Sequence, residues 1–272
     1  HRDLHSFPTR RSSDLSAFRI VLDNSSSTAA PEYAGLNPPD VVLSNLDDET
    51  PGFLISAISG NLVEKGGSAT FTVKMTSQPT SSVDIPLLVS DTSEATVAGD
   101  NTTHLRFTTS NWNADHVVTL SAVDDSESDG TQSFYVNLGA DNSTLDTSGY
   151  RGLDPQDVAA ATQDDESAGF LVSSVSGSVT EEGGQALFTV RLTSQPTGNV
   201  VVSVSSDNTS EATVTPLTLT LTSTNWRSEQ AVRVTGVDDN ISDGNSAFRI
   251  VLDNSSSTAA AEYAGQIGRA HV

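Results

Sequence analysis

The segment GFLISAISGNLVEKGGSATFTVKMTSQPT, Gly52 to Thr80, returns as GFLVSSVSGSVTEEGGQALFTVRLTSQPT from Gly169 to Thr197, an offset of 117 residues. SEAT at Ser93 returns at Ser210 with the same offset. NW recurs at Trp112 and Trp226 after only 114, so the first copy carries three extra residues between Val97 and Trp112. A third, partial copy comes earlier: SAFRIVLDNSSSTAAPEYAG from Ser16 reappears as SAFRIVLDNSSSTAAAEYAG from Ser246. A period of about 115 residues is the size of a domain and far too long for a solenoid unit, so the chain folds as a row of like domains.

The two ends stand outside this repeat. HRDLHSFPTRRSSDL has no apolar period and holds three of the eleven arginines and two of the five histidines; like IGRAHV at the other end, it resembles a translated sequencing adapter. Residues 1–15 and 266–272 are therefore read as non-native adapter-like segments. Residues 16–49 read as the C-terminal part of a preceding repeat and 50–166 as a complete β-sandwich repeat. Residues 167–265 read as a second repeat lacking its last strand, and the whole as an internal piece of a longer protein.

Within each repeat the apolar period is two. Phe71, Val73 and Met75 alternate with polar residues, as do Phe188, Val190 and Leu192; Val83, Ile85, Leu87 and Val89 are matched by Val200, Val202 and Val204. Val118 and Leu120 are matched by Val232 and Val234, and Phe134, Val136 and Leu138 by Phe248, Ile250 and Leu252. No window of helical length shows a 3.6 period. Six or seven short strands per repeat, punctuated by EKGG or EEGG and by SQPT, predict an all-β chain of tandem antiparallel Ig-like sandwiches. Residues 157–163 are expected to be the closing strand of the complete repeat. Trp112 and Trp226 read as core plugs, and His104 and His116, unmatched in the second copy, as ordinary surface or core residues.

The chain carries 35 acidic against 13 basic residues, a formal net charge of −22; without the two end segments it keeps 9 basic against 33 acidic. Such a field repels nucleic acid and anionic lipid and attracts cations. Cysteine is absent, which excludes disulfides and thiolate metal sites. The acids are concentrated: VDDSESDG from Val123 and VDDNISDG from Val237 each hold three aspartates within six residues, between two apolar runs. Loops at one end of a sandwich lie close together, so Glu64, Asp124, Asp125, Asp129, Asp164 and Asp165 can meet, as can Glu181, Asp238, Asp239 and Asp243 in the second copy. Carboxylates so placed either splay into water or hold a hard cation such as calcium, which takes six to eight oxygen ligands.

A V-x-E-x-G-G turn before a strand, a strand ending in V-D-D, an acidic loop into F-x-V-x-L and a connector with paired aspartates resemble the Calx-beta calcium-binding modules. They are similar above all to the Calx-beta-type repeats of large bacterial surface and secreted proteins, where TSQPT, SEATV, NW and GVDD recur. The resemblance spans nearly all of residues 16–265 and implies Ca2+ as the bound ion. It implies as ligands Glu64, Asp124, Asp125, Asp129, Asp164 and Asp165, with Glu181, Asp238, Asp239 and Asp243 as their equivalents. One position departs from the family pattern: Gln132 or Ser246 stands where an acid usually precedes the Phe, which implies weaker binding or the loss of a second ion.

The function expected from these readings is that of a structural spacer or stalk repeat of a bacterial extracellular, adhesin-like protein, stiffened by calcium at its acidic loops and connector. The alternative is a glycan- or protein-binding module of a secreted protein. An enzyme is not expected: the acids repeat with the domains and do not face one another across a cleft, and no G-x-S-x-G, H-E-x-x-H or P-loop is present. The expected partners are neighbouring repeats of the same chain, with no nucleic acid and no membrane insertion. Self-association is also expected, through the edge that the second repeat leaves unpaired.

Overall fold

The computed structural model describes residues 15–22, 31–33, 36–99, 103–141, 145–242, 244–255 and 259–266. Among the described residues the chain is all-β apart from two single 3-10 turns, Pro31–Tyr33 and Ala261–Tyr263. A two-stranded ribbon comes first, β1 (Leu15–Ile20) with β2 (Val41–Leu46), so that β1 takes in the last residue of the adapter-like segment.

Among its described residues the first unit contains nine strands: β3 (Phe53–Ile55), β4 (Leu62–Val63), β5 (Ser68–Met75), β6 (Val83–Val89), β7 (Ala95–Ala98), β8 (His104–Phe107), β9 (His116–Ala122), β10 (Gln132–Leu138) and β11 (Val158–Gln163). They form two sheets, β3-β5-β9-β7 and β4-β11-β10-β6-β8. Alternation decides the packing. In β5 each of Ala69, Phe71, Val73 and Met75 is buried and each intervening residue is more open, and the same period runs through β6 and β10. Phe71 stands opposite Val118 across β5–β9, and Phe134 opposite Ala160 across β10–β11. The strand count exceeds the six or seven expected because β3 and β4 have only three and two residues, too short to show a period. The sheets are antiparallel except at β4, which pairs with β11 in parallel.

The second unit repeats this plan with β12 (Phe170–Val172), β13 (Gln185–Leu192), β14 (Val200–Ser206), β15 (Ala212–Thr215), β16 (Thr218–Leu221), β17 (Gln230–Gly236) and β18 (Ile250–Asp253). Its four-stranded sheet, β12-β13-β17-β15, matches that of the first unit, but its other sheet, β16-β14-β18, has three strands in place of five. The counterparts of β4 and β11 are missing among the described residues, and the strand expected to include Phe248 starts only at Ile250.

At one end both units close alike. Tyr150, fully buried, donates from its hydroxyl to the Ser77 carbonyl at 2.9 Å and packs edge-on against Phe53; Tyr263 does the same with the Ser194 carbonyl at 2.6 Å and with Phe170. An acid nearby satisfies the SQPT turn in each unit: Asp146 accepts from the Thr80 backbone at 3.0 Å and Glu262 from the Thr197 backbone at 2.8 Å. Several of the many acids are thus structural.

Candidate metal centre

The opposite end of the first unit gathers its acids through one turn and one strand. The EKGG turn after β4 needs glycine twice. Gly66 has a positive φ of 75°, and a Cβ on Gly67 would strike the Val63 backbone. The turn reverses the chain directly after Glu64, whose backbone N–H donates to the Gln163 carbonyl at 3.1 Å, extending the β4–β11 pairing by one residue. Glu64 is left only 2% exposed. Glu94, ahead of β7, is 5% exposed; its carbonyl accepts from the Thr162 hydroxyl at 3.2 Å and from the Val123 N–H at 2.9 Å, which ties it to both β11 and the acidic loop.

Asp164, Asp165 and Glu166 leave the end of β11 beside that loop. Asp164 accepts from the Gly130 N–H at 2.8 Å and, through its other oxygen, from the Glu166 N–H at 2.7 Å; Asp125 accepts from the Glu127 N–H at 2.7 Å. Two acid triplets result, Glu64 with Asp164 and Glu166, and Asp124 with Asp165 and Glu166, each offering ligand oxygens within 4.8 Å of one another. Oxygens bound to one calcium at 2.3–2.6 Å lie up to about 5 Å apart. Glu166 belongs to both triplets, so the two lie side by side.

Their electrostatics are those of a site built for positive charge. Burial pushes Glu64 up to about 8, with the charges of Asp125, Asp164, Glu166 and Glu94 adding to it. Glu94 is raised by burial and then by Asp129, Asp91, Asp125 and Asp164, and Glu166 by burial and then by Asp165 and Asp164. Asp129 is raised too, by burial and by Asp125 and Asp164 against the Gln132 side chain that lowers it. Among the described residues Lys65 is the one cation paired here, 3.6 Å from Asp165 and itself largely exposed. One buried oxygen each of Glu64, Glu94 and Glu166 has no hydrogen-bond partner. Three orphaned, buried carboxylate oxygens are costly unless a cation meets them. An all-oxygen donor set with no nitrogen or sulfur fits calcium.

Of the residues singled out in sequence, Glu64, Asp124, Asp164 and Asp165 fall within the triplets. Asp125 and Asp129 lie beside them and act through their charge. Glu94 and Glu166 were missed. Both had a signal, since SEAT recurs with its acid at Glu211 and Glu166 directly follows the paired aspartates. The second unit differs: Glu181 and Asp238 are exposed, Asp239 is half-buried, and Asp243 lies outside the described residues. Among the described residues no three acids of that unit come together, whereas the ribbon ends in a third, fully exposed triplet, Asp47, Asp48 and Glu49.

The acidic loop also touches the second unit. The Gln195 N–H donates to the Ser126 carbonyl at 2.6 Å and its side-chain amide to Glu127 at 2.8 Å, while the Arg227 guanidinium donates to the Ser126 hydroxyl at 3.1 Å. Arg227 is stacked over the buried Trp226 ring, 4.3 Å from its centroid, which fixes the guanidinium in place.

The sequence profile of the Calx-beta domain matches residues 47–167 and again residues 163–272. The chain belongs to the Calx-beta family. Calx-beta domains are calcium-binding β-sandwiches, not catalytic domains. Among solved structures, the Calx-beta pair is similar to the calcium binding domain CBD12 of CALX1.1, with 16% identity over 71% of this chain and 76% of that one, at a TM-score of 0.29. Domains 5-6 of the S-layer protein SbsC are also similar, with 16% identity over 82% and 97% and a TM-score of 0.25. So is the type II cohesin dyad from the adaptor ScaA scaffoldin of Acetivibrio cellulolyticus, with 9% identity over 76% and 90% and a TM-score of 0.26. Comparison with curated proteins gives no match.

Proposed function

We propose that the chain is a spacer of tandem Calx-beta units in a bacterial extracellular, adhesin-like protein, and that the first unit holds calcium where it joins the second. The observation that carries this reading is the set of orphaned, buried oxygens on Glu64, Glu94 and Glu166 at the root of the connector. Glu64, Asp164 and Glu166 would hold one ion and Asp124, Asp165 and Glu166 its neighbour, with Glu94, Asp125 and Asp129 supplying further negative charge. Calcium supplies only positive charge and coordination; the order comes from the residues. Asp164, Asp165 and Glu166 are connector and site at once, and Ser126 and Glu127, between the site aspartates, grip Gln195 and Arg227 of the next unit. Fixing the loop therefore fixes the neighbour. The extracellular setting is supported by the scarcity of lysine beside abundant Thr, Ser, Val, Gly and Asn.

Small-angle scattering of residues 50–265 tests the reading. With calcium the pair should show a longer maximum dimension and a narrower distribution than with chelator. Superimposable profiles in the two conditions would mean that the connector acids are merely solvated.

A further inference from the structure

In the first unit a strand from the start of the chain segment and the strand that ends it lie side by side and run the same way. β4 pairs in parallel with β11, Leu62 opposite Thr162 and Val63 opposite Gln163, and the Glu64 N–H adds one bond to the Gln163 carbonyl. The other strand pairings among the unit's described residues are antiparallel. Only the three-residue β3 comes before β4, and only the connector comes between β11 and the second unit.

Such a pair meets tension in a particular way. The ribbon precedes β3 and the second unit follows β11, so a pull along the chain enters the first unit at Phe53 and leaves it past Gln163. Phe53 pairs with Met75, at the opposite end of β5 from Ser68, and Ser68 directly follows the EKGG turn that carries Glu64. Entry and exit therefore lie at opposite ends of the sandwich, separated by about 26 Å along β5. Once β3 has come off β5, the pull draws β4 one way and β11 the other, each along its own axis. The bonds between them are then loaded together, in shear, and cannot open one at a time.

The seam itself is short. Two paired residues and one added N–H make few hydrogen bonds, each of modest net worth. At its loaded end stand the acids: Glu64 is the first residue beyond β4, Asp164 the first beyond β11, and their oxygens lie with those of Glu166 within 4.8 Å of one another. Glu64 on one side of the seam and Glu166 on the other each keep a buried oxygen without a hydrogen-bond partner. Asp164 is tied to the acidic loop as well, through the Gly130 N–H at 2.8 Å. We infer, on the calcium reading above, that this centre is also the mechanical clamp of its unit: Glu64 after one strand and Asp164 and Glu166 after the other grip a cation between them, and the unit cannot lengthen under tension until that grip breaks. Contacts that must be lost before the unfolding barrier is crossed slow unfolding by their full worth.

Single-molecule stretching of the full chain at constant force tests this, since a chain without cysteine accepts handles at chosen exposed positions. Thr50→Cys with Ser167→Cys pulls the seam in shear. Thr50→Cys with Gln156→Cys pulls at one end of the sandwich only, because Gly52 and Phe53 share a crevice with Leu153 and Gln156. That pull peels β11 from its start, about 20 Å from Asp164. With calcium at 100 times its dissociation constant, the sheared unit should last about 100-fold longer than in chelator, the whole gain appearing in the unfolding rate. The peeled unit should last less than about twofold longer, its barrier being crossed while the acids still hold. Glu64→Gln should shorten the sheared lifetime in calcium about 10-fold and leave the peeled one as it was. Equal lengthening in both geometries, or a Glu64→Gln variant as durable in shear as the parent, overturns the clamp and leaves calcium binding standing. No lengthening in either geometry removes the calcium reading, and the clamp with it.

Discussion

Glu64 and Glu181 follow equivalent residues in equivalent turns, each ahead of two glycines, and yet the first is 2% exposed and the second lies open to water. The sandwiches beneath them have the same four-stranded sheet and the same buried tyrosine corner. What separates them is β11. It pairs with β4, draws Glu64 under the Gln163 carbonyl, anchors Glu94 through Thr162 and delivers Asp164, Asp165 and Glu166. Acids in loops do not by themselves make the centre. A strand about a hundred residues away from Glu64 makes it by excluding water from carboxylates that repel one another, which is what leaves them in need of an ion.

The strongest way to erase the difference is to give the second unit its strand. Residues 153–166 appended directly after Gly265 should bury Glu181, and calcium at 100 times its dissociation constant should then stabilise the second unit by about 2.7 kcal/mol, the same gain expected of the first. Scanning calorimetry with calcium against chelator reads this as an added calcium-dependent shift. A melting profile that gains no such shift would mean that β11 is not what builds the centre.

A second effect separates the units by pH. The folded first unit holds the Glu64 proton up to about 8, while an unfolded chain releases it near 4.5. Without calcium, the stability contributed by this group is full below about 4.5 and is lost as pH rises toward 8. Calcium binding requires the proton to leave, so the rise in melting temperature on adding calcium should grow from pH 5 to pH 8. Glu64→Gln, neutral throughout, should flatten the chelator curve, and Glu181→Gln should leave it unaltered. Equal pH dependence in the parent and Glu64→Gln would show that burial of Glu64 is not the source.

The smallest expected difference lies at the end the two units share. Tyr150→Phe and Tyr263→Phe each remove a buried hydroxyl bonded to a backbone carbonyl and should each cost about 1–2 kcal/mol, with or without calcium. Chemical denaturation checks this, and a calcium-dependent cost for either would break the separation of the two ends.

Much of the fold was legible because strands of seven or eight residues state their period openly: Phe71, Val73 and Met75 are buried where alternation puts them. Strands of two or three residues state none, so neither β3 nor β4 could be delimited ahead of the EKGG turn, and the parallel pairing of β4 with β11 carried no signal. The site was legible to the extent that it is clustered in sequence, which holds for Asp124, Asp164 and Asp165. Glu94 stands alone in SEAT and reaches the cluster only through the Thr162 and Val123 hydrogen bonds, a long-range effect that no local pattern carries. For the same reason, sequence treats Glu181, Asp238 and Asp239 as equals of the first set, while the structure does not gather them.

The central claim, that one unit of this chain carries a formed calcium centre and the other does not, is tested most directly by calcium titration calorimetry. The full chain, dilute enough to be monomeric, is compared with Glu64→Gln and with Glu181→Gln. The account predicts that Glu64→Gln removes the ion held by Glu64, Asp164 and Glu166 and so lowers the stoichiometry, and that Glu181→Gln leaves stoichiometry and affinity as they were. Loss of binding in Glu181→Gln, or undiminished binding in Glu64→Gln, would contradict it.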